Sequence, residues 1–453
     1  MNKLDSEIVE GLLREAGYEQ ASSESSADVI LFNTCSVRQH AEDKVYSRVG
    51  ALRALKEKRN HLVIGILGCM AQKERERIFQ RLPHVDLVVG TTEFPRLAAM
   101  VEEARQARKH IVATETRSLS GLVRPARAES QAASRNGFQV ADAPKSPTCQ
   151  SHFGDGTPLW RRRAFVACVR GCDNFCSYCV VPYLRGPEES RPPREVLEEV
   201  RRLVDAGVRE VTLLGQNINS YGRRSGGEYN LASLLEAMND IEGLSRIRFL
   251  TSHPRDLSKE ILLAMAALPR VCESLHLPIQ SGSDRILQAM RRGYTRLEYL
   301  NKVAMARQVV REVTISTDFI VGFPGETEED FQASARIIRE VRFRNCFIFK
   351  YSPRPLTSAS RLVDDVPRAE KERRNRELLR VQEEVSREEN SKLIGKTLEV
   401  LVEGPSKKNP AKLTGRSRGD HIVVFEGQSD LVGSLAHVRV KDSTALTLFA
   451  EVV

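Results

Sequence analysis

The apolar positions of this chain fall into three successive patterns. Residues 3–16 place Leu4, Ile8, Leu12 and Leu13 at helical spacing, which predicts an amphipathic helix. DVILFNT (28–34) is a continuous apolar run, typical of a parallel strand buried on both faces. A charged helix (about 38–58), the strand LVIGILG (62–68), a helix (about 71–82), the strand LVVG (87–90) and a helix (about 95–108) follow. This alternation predicts a doubly wound α/β domain over residues 1–115. The pattern opens on a helix, whereas an open sheet of this type normally begins with a strand and a βα loop. A first strand is therefore missing from it.

Periodicity then stops. SLSGLVRPARAESQAASRNGFQVADAPKSPTCQ is rich in Ser, Ala, Pro, Gly and Arg and reads as a flexible, solvated linker over 116–160, its basic residues also open to RNA. From 164 to 352 there are six strand–helix repeats, with strands FVACV (165–169), EVTLLGQ (210–216), RIRFLTS (246–252), ESLHLPI (273–279), TISTDFIVGF (314–323) and NCFIFKYS (345–352). Parallel strands with crossover helices curl into a full or partial β/α barrel, here spanning 161–390, with its chemistry at the C-terminal strand ends. A strongly charged helix covers 367–392. KTLEVLVEG, HIVVFEG, GSLAHVRVKDS and ALTLFAEVV then predict a small β-barrel over 391–453, of the size that binds oligonucleotides.

Composition narrows this modestly. The 453 residues are 41% hydrophobic and 28% charged, as in a soluble globular protein. No apolar run approaches the ~20 residues that cross a bilayer, and the start has no signal-peptide core. The expectation is a cytoplasmic protein without a membrane. There the nine cysteines stay reduced, and clustered ones read as metal ligands. A net charge of +9 fits a polyanionic partner such as RNA and equally fits an ordinary enzyme surface.

The strongest chemical signal is Cys172-Asp-Asn-Phe-Cys176-Ser-Tyr-Cys179, just past the first barrel strand. Three thiolates at this spacing ligate three irons of a 4Fe–4S cluster and leave the fourth iron open. A zinc site would need a fourth protein ligand. Cys168 is the candidate, but it stands outside the CxxxCxxC register and reads as a strand residue facing the core. Cys272 and Cys346 sit in apolar runs and read as core cysteines.

CxxxCxxC after the first strand of a six-repeat barrel is similar to the radical S-adenosylmethionine superfamily. In that superfamily an aromatic residue often precedes the last cysteine, as Tyr178 does here, near the adenine. Gly215-Gln216-Asn217 resembles a cofactor-contacting segment. The stretch running from Asp318 through Val321 to Glu326 resembles the one flanking the adenine. Asn33-Thr34-Cys35-Ser36-Val37-Arg38, Gly68-Cys69-Met70-Ala71, Val181-Pro182-Tyr183-Leu184-Arg185-Gly186, Ser190-Arg191-Pro192, Gln280-Ser281-Gly282-Ser283 and Ser352-Pro353-Arg354-Pro355 follow in order. Together they resemble the methylthiotransferases, most closely the tRNA-2-methylthio-N(6)-dimethylallyladenosine synthases.

The resemblance implies an N-terminal domain with a second 4Fe–4S cluster, a radical barrel and a C-terminal TRAM domain that binds tRNA. It implies that Cys172, Cys176 and Cys179 hold the catalytic cluster, where S-adenosylmethionine is cleaved to a deoxyadenosyl radical. Cys35 and Cys69, each after a strand, then hold the auxiliary cluster. The third family cysteine lies in a Cys-Gln-Met-Asn stretch. Met1-Asn2-Lys3-Leu4-Asp5-Ser6 looks like its continuation, which puts that cysteine before Met1 and implies an upstream start. The expected reaction is methylthiolation of carbon 2 of N(6)-isopentenyladenosine at tRNA position 37. One S-adenosylmethionine serves as methyl donor and a second as radical source.

Expected partners are the tRNA anticodon loop and a low-potential donor of flavodoxin or ferredoxin type, with the protein a monomer. Arg185 and Arg191, within family motifs, are favoured for phosphates of cofactor or tRNA, and Arg354 is a candidate. Arg291 and Arg292 are open between that role and a solvated face. His253 and His276 end barrel strands, as pocket or structural histidines. Lys407, Lys408, Lys412, Arg416 and Arg418 form a basic run suited to RNA or simply to solvent. Other readings are a methylthiotransferase for threonylcarbamoyladenosine or a ribosomal-protein aspartate, and a non-catalytic metal-containing RNA-binding protein.

Overall fold

The computed structural model describes residues 1–34, 39–107, 109–115, 136–142 and 162–453, with side chains omitted for 39–41 and 136–142. The chain forms two compact units. The first comprises Met1–Pro147 with Arg170–Asp173 and Val180–Glu189. The second comprises Thr148–Val169, Asn174–Cys179 and Ser190–Val453.

The first unit is built on a six-stranded parallel sheet. Its strands are β1 (Tyr18–Gln20), β2 (Val29–Thr34), β3 (Val63–Gly68), β4 (Leu87–Val89), β5 (Ile111–Ala113) and β6 (Asn136–Asp142), in the order β1-β6-β2-β3-β4-β5. Every residue of β2 and β3 is buried, because helices cover both faces. Val29, Leu31, Val63 and Leu67 pack with Val9, Leu13, Leu97 and Val101 of the helices Asn2–Glu15 and Leu97–Ala107. Ile30, Phe32, Ile64 and Ile66 face Val45, Val49, Met70 and Ile78 on the other side. Alternate side chains of one strand thus feed two cores, and that is why these runs are apolar throughout.

One expectation needs correction. Asn136–Asp142 lies in the stretch assigned to a flexible linker, yet it is β6, paired in parallel with β1 and with β2. Composition averaged over the whole stretch hides it, because strand pairing is satisfied by main-chain groups. The remainder of 116–160 lies outside the described residues.

In the second unit the six predicted barrel strands are β7 (Arg163–Ala167), β8 (Glu210–Leu214), β9 (Arg246–Leu250), β10 (Ser274–His276), β11 (Thr314–Val321) and β12 (Asn345–Lys350). They form two three-stranded parallel sheets, β9-β8-β7 and β10-β11-β12, bridged by Ile247 and Val271. Amphipathic helices such as Pro193–Asp205 and Glu328–Val341 pack outside, giving a partial (β/α)6 barrel with one continuous core. The last five strands, β13 (Thr397–Pro405), β14 (Leu413–Ser417), β15 (Ile422–Glu426), β16 (Leu435–Ser443) and β17 (Thr447–Val452), close into a small barrel. Its interior is Val400, Val402, Leu413, Val423, Phe425, Val438, Val440 and Leu448.

The small barrel sits on the N-terminal ends of the large one's strands through buried charge. Glu210, at the start of β8, is wholly buried. It receives Arg163 Nε at 2.7 Å and Arg248 Nε at 3.1 Å, with Arg246 Nη1 at 3.8 Å. Burial by itself would raise the Glu210 pKa, but Arg248, Arg163 and Arg246 outweigh it and lower it below the usual carboxylate value. The same arginines reach across to the small barrel. Arg246 bonds Glu399 Oε1 at 2.7 Å and the Arg416 carbonyl at 2.7 Å, while Arg248 bonds the carbonyls of Ser417 and Arg418. Arg344 pairs with Asp420 at 2.8 Å.

This changes the reading of the basic run. Arg418 is paired with Glu273 of the large barrel, while Arg416 with Asp420 and Lys412 with Glu426 are paired within the small one. Lys407 and Lys408 are exposed.

Replacing Glu210 with Ala leaves buried guanidiniums without their shared carboxylate. We expect a loss of about 3–5 kcal/mol, seen as a lower melting temperature, whereas Arg194→Ala, which breaks a surface pair with Glu198, leaves melting unchanged.

Candidate active site

Barrel geometry brings the C-terminal strand ends to one mouth, and the sequence spends unusual conformations there. Thr251, just after β9, has φ 71°, and Gln280, after β10, has φ 79°. Non-glycine residues held in the left-handed region cost about 1–3 kcal/mol each, and such strain concentrates at functional positions. Gly282 is required by close approach, since a Cβ there would lie 2.4 Å from the Ala333 carbonyl oxygen. The Gln280–Ser283 motif is thereby pressed against the helix Glu328–Val341.

Cys176 and Cys179 lie on a loop of the second unit. The Cys179 N–H donates to the Cys176 carbonyl at 3.0 Å, a tight turn. Between them Ser177 is clamped: its N–H donates to the Met290 carbonyl at 2.9 Å, its Oγ to the Ala289 carbonyl at 2.8 Å, and its carbonyl accepts from the Ala359 N–H at 2.8 Å. Cys176 is buried and Cys179 half-buried. Arg292 reaches this loop, with Nη1 3.3 Å from Cys176 Sγ and 3.4 Å from the Tyr178 hydroxyl. Cys172 counts with the first unit, where it is buried and its N–H donates to the Gly186 carbonyl at 3.3 Å. Gly171 before it is left-handed, and a Cβ there would lie 2.0 Å from the Pro187 carbonyl oxygen. Among the described residues no three Cys, His, Asp or Glu side chains are drawn together as a metal-binding set.

The other sequence candidates divide. Gly215 is close-packed, with a Cβ position 2.9 Å from Val169 Cβ. Asn217 donates through Nδ2 to Asp256 at 2.6 Å, and its buried Oδ1 has no partner. Gln216 Oε1, Ser252 Oγ and His253 Nε2 are likewise buried and unpartnered. These four atoms at the mouth suit a polar ligand, since buried polar groups are normally satisfied. Asp318 accepts from His276 Nε2 at 3.1 Å. The Val321 side chain is in the barrel core rather than at the mouth. Tyr178 is packed against Ile286, Met290, Phe323 and Tyr351, and burial raises its pKa.

The arginines favoured for phosphate are internal. Arg185 pairs with Asp5 at 2.7 Å, both buried within the first unit, and Arg191 pairs with Glu199 at 2.7 Å. Arg354 is also buried. Arg292, open to a solvated reading, is buried, while its neighbour Arg291 is exposed. A doublet of arginines gives no sign in sequence that its members part in this way. Cys168 is wholly buried, and desolvation drives its thiol pKa upward, as befits a core residue. In the first unit Cys69 follows β3 and packs against Val180 and Leu184. Cys35 lies outside the described residues.

A Radical SAM superfamily model matches residues 166–338, uncharacterized protein family UPF0004 matches 1–90, and a TRAM domain matches 391–453. The tRNA-2-methylthio-N(6)-dimethylallyladenosine synthase of Syntrophotalea carbinolica is 42% identical, over 97% of this chain and 94% of that protein. The chain belongs to this synthase family. Its Moorella thermoacetica member is 42% identical over 100% of this chain and 96% of its own length. The Syntrophomonas wolfei member is 43% identical, covering 100% and 95%. Among the described residues no helix is long and apolar enough to cross a membrane.

His253 offers a test of the mouth's electrostatics. Burial first, then Arg292, Arg255 and Arg223, lower its pKa to about 2. Its Nδ1 accepts the Arg255 N–H at 3.3 Å, leaving Nε2 as the N–H that faces inward. The unfolded chain takes a proton on this imidazole near pH 6.5, and the folded one does not. Stability is therefore intact above pH 6.5 and falls below it, by up to about 1.4 kcal/mol per pH unit from this group. Melting curves from pH 7 to pH 5 should show a shallower decline for His253→Asn than for the parent.

Proposed function

We propose that the chain methylthiolates carbon 2 of N(6)-isopentenyladenosine at position 37 of tRNA, with S-adenosylmethionine as methyl donor and radical source. The observation that carries this reading is the Cys172-Asp-Asn-Phe-Cys176-Ser-Tyr-Cys179 segment after the first strand of a radical-type barrel, in a chain related to the synthases over its whole length. On this reading residues 1–115 form the methylthiotransferase N-terminal domain, 161–390 the radical barrel and 391–453 the RNA-binding TRAM domain.

Cys172, Cys176 and Cys179 would hold a 4Fe–4S cluster able to take S-adenosylmethionine, and Cys35 and Cys69 would contribute to an auxiliary cluster. Bound together, the first cluster and the sulfonium cofactor supply a carbon radical able to act on an unactivated aromatic C–H. The chain's own groups do the rest. Ser177 and its clamps hold two thiols in a fixed turn. Asn217 Oδ1 accepts and His253 Nε2–H donates at the mouth, and the histidine stays neutral through physiological pH. Tyr178 and Gly215 shape the wall beside the cofactor. A base of the anticodon loop is already single-stranded, so presenting it costs little. A flavodoxin- or ferredoxin-type protein supplies electrons, and the chain works as a cytoplasmic monomer.

Anaerobically reconstituted protein, given isopentenylated tRNA and a low-potential reductant, should yield the methylthio nucleoside by mass spectrometry of digested tRNA. Cys172→Ala should lose most cluster iron and at least a hundredfold of 5′-deoxyadenosine formation. Modification only of threonylcarbamoyladenosine tRNA or of a ribosomal protein would overturn the substrate. A colourless protein that leaves S-adenosylmethionine intact would overturn the chemistry.

A further inference from the structure

Arg292 is a buried cation, 4% exposed, that the proposed chemistry has not used. Its Nε donates to the Tyr294 hydroxyl at 2.9 Å and Nη2 to the Pro278 carbonyl at 2.8 Å. Nη1 is shared between Cys176 Sγ at 3.3 Å and the Tyr178 hydroxyl at 3.4 Å. Among the described residues its hydrogen-bond partners are thus two phenols, a carbonyl and a thiol, with no carboxylate. Five other buried arginines, Arg185, Arg191, Arg246, Arg248 and Arg374, each pair with Asp or Glu, whereas buried Arg170 donates to the Thr91 hydroxyl. A charge sealed from water without a counter-charge is costly. Of the Arg292 partners, the Cys176 sulfur is the one that becomes a resident anion when it ligates a metal.

We propose that Arg292 is a positioning residue for the cluster, placing an N–H···S bond and a fixed positive charge on Cys176 and so raising the cluster's reduction potential. This rests on the assignment of Cys172, Cys176 and Cys179 as cluster ligands. The step concerned takes one electron from an external reductant, with no bond made or broken and no proton moved. It adds one negative charge beside the guanidinium, which favours the reduced side. Hydrogen bonds to ligand sulfurs are a recognised means of setting such potentials. Tyr294 and Pro278 fix the fork, so the N–H aimed at sulfur does not wander.

The test is a potentiometric titration of the full, anaerobically reconstituted chain with dithionite. It follows the electron paramagnetic resonance signal that changes shape when S-adenosylmethionine is added. Arg292→Met and Arg292→Gln should keep parent iron content and move the midpoint to more negative potential. At a fixed poise the ratio of reduced to oxidised cluster should fall about tenfold, which is about 59 mV for one electron. Arg292→Lys, which keeps the charge, should sit closer to the parent than either neutral variant. Should Met prevent folding, the Gln and Lys pair decides alone. A neutral variant with an unmoved midpoint, or a Lys variant no closer to the parent than Gln, would overturn the proposal. A parent chain with no cofactor-responsive signal would instead defeat the cluster assignment itself.

Discussion

A guanidinium removed from water must be given a counter-charge, and this constraint organises the second unit. At the N-terminal ends of the barrel strands one buried carboxylate, Glu210, answers Arg163, Arg246 and Arg248 together. Two of those arginines continue into Glu399 and the carbonyls of Arg416, Ser417 and Arg418, so the network that neutralises the barrel's base also fastens the small β-barrel to it. Exposed ion pairs contribute little to stability, but a hydrogen-bonded buried set fixes geometry, because none of its members tolerates losing a partner. The opposite strand ends are thereby left clear of the C-terminal domain.

At those ends the rules are relaxed. Thr251 and Gln280 adopt left-handed backbone without being glycine, and four polar atoms are buried without partners. Among the described residues, buried Arg292 has no carboxylate partner. Each departure costs free energy in isolation. At this mouth they suit a ligand-binding role, since pre-placed donors, acceptors and charge are unsatisfied until something arrives.

Much of this was legible in sequence for a simple physical reason. Strands buried on both faces must be apolar throughout, so DVILFNT and LVIGILG announce themselves, and closely spaced thiols declare a metal chemistry wherever they fold. What depends on long-range partners was not legible. RIRFLTS reads simply as a barrel strand, and nothing in it shows that Arg246 and Arg248 are internal, which they are because Glu210 and Glu399 come to meet them. Arg185 lies in a motif that invites a phosphate-binding reading, but Asp5, nearly the whole first unit away in sequence, pairs with it. Arg416 and Arg418 read as a run facing RNA or solvent for the same reason, before Asp420 and Glu273 are seen beside them. Strand β6 escaped because a stretch judged by its average composition says nothing about which few residues lend their main chain to a neighbour.

That strand carries a consequence for how the first unit comes into being. Because β6 lies between β1 and β2, those two never pair with one another, although they are close in sequence. Their shared neighbour leaves the ribosome about a hundred residues later, after every other strand of the sheet. The sheet is thus finished by its last-made piece inserted near one edge, a non-local closure of the kind that slows folding. Until then β2 presents an open parallel rim, and a nascent chain halted short of residue 142 would hold a vulnerable, half-zipped intermediate.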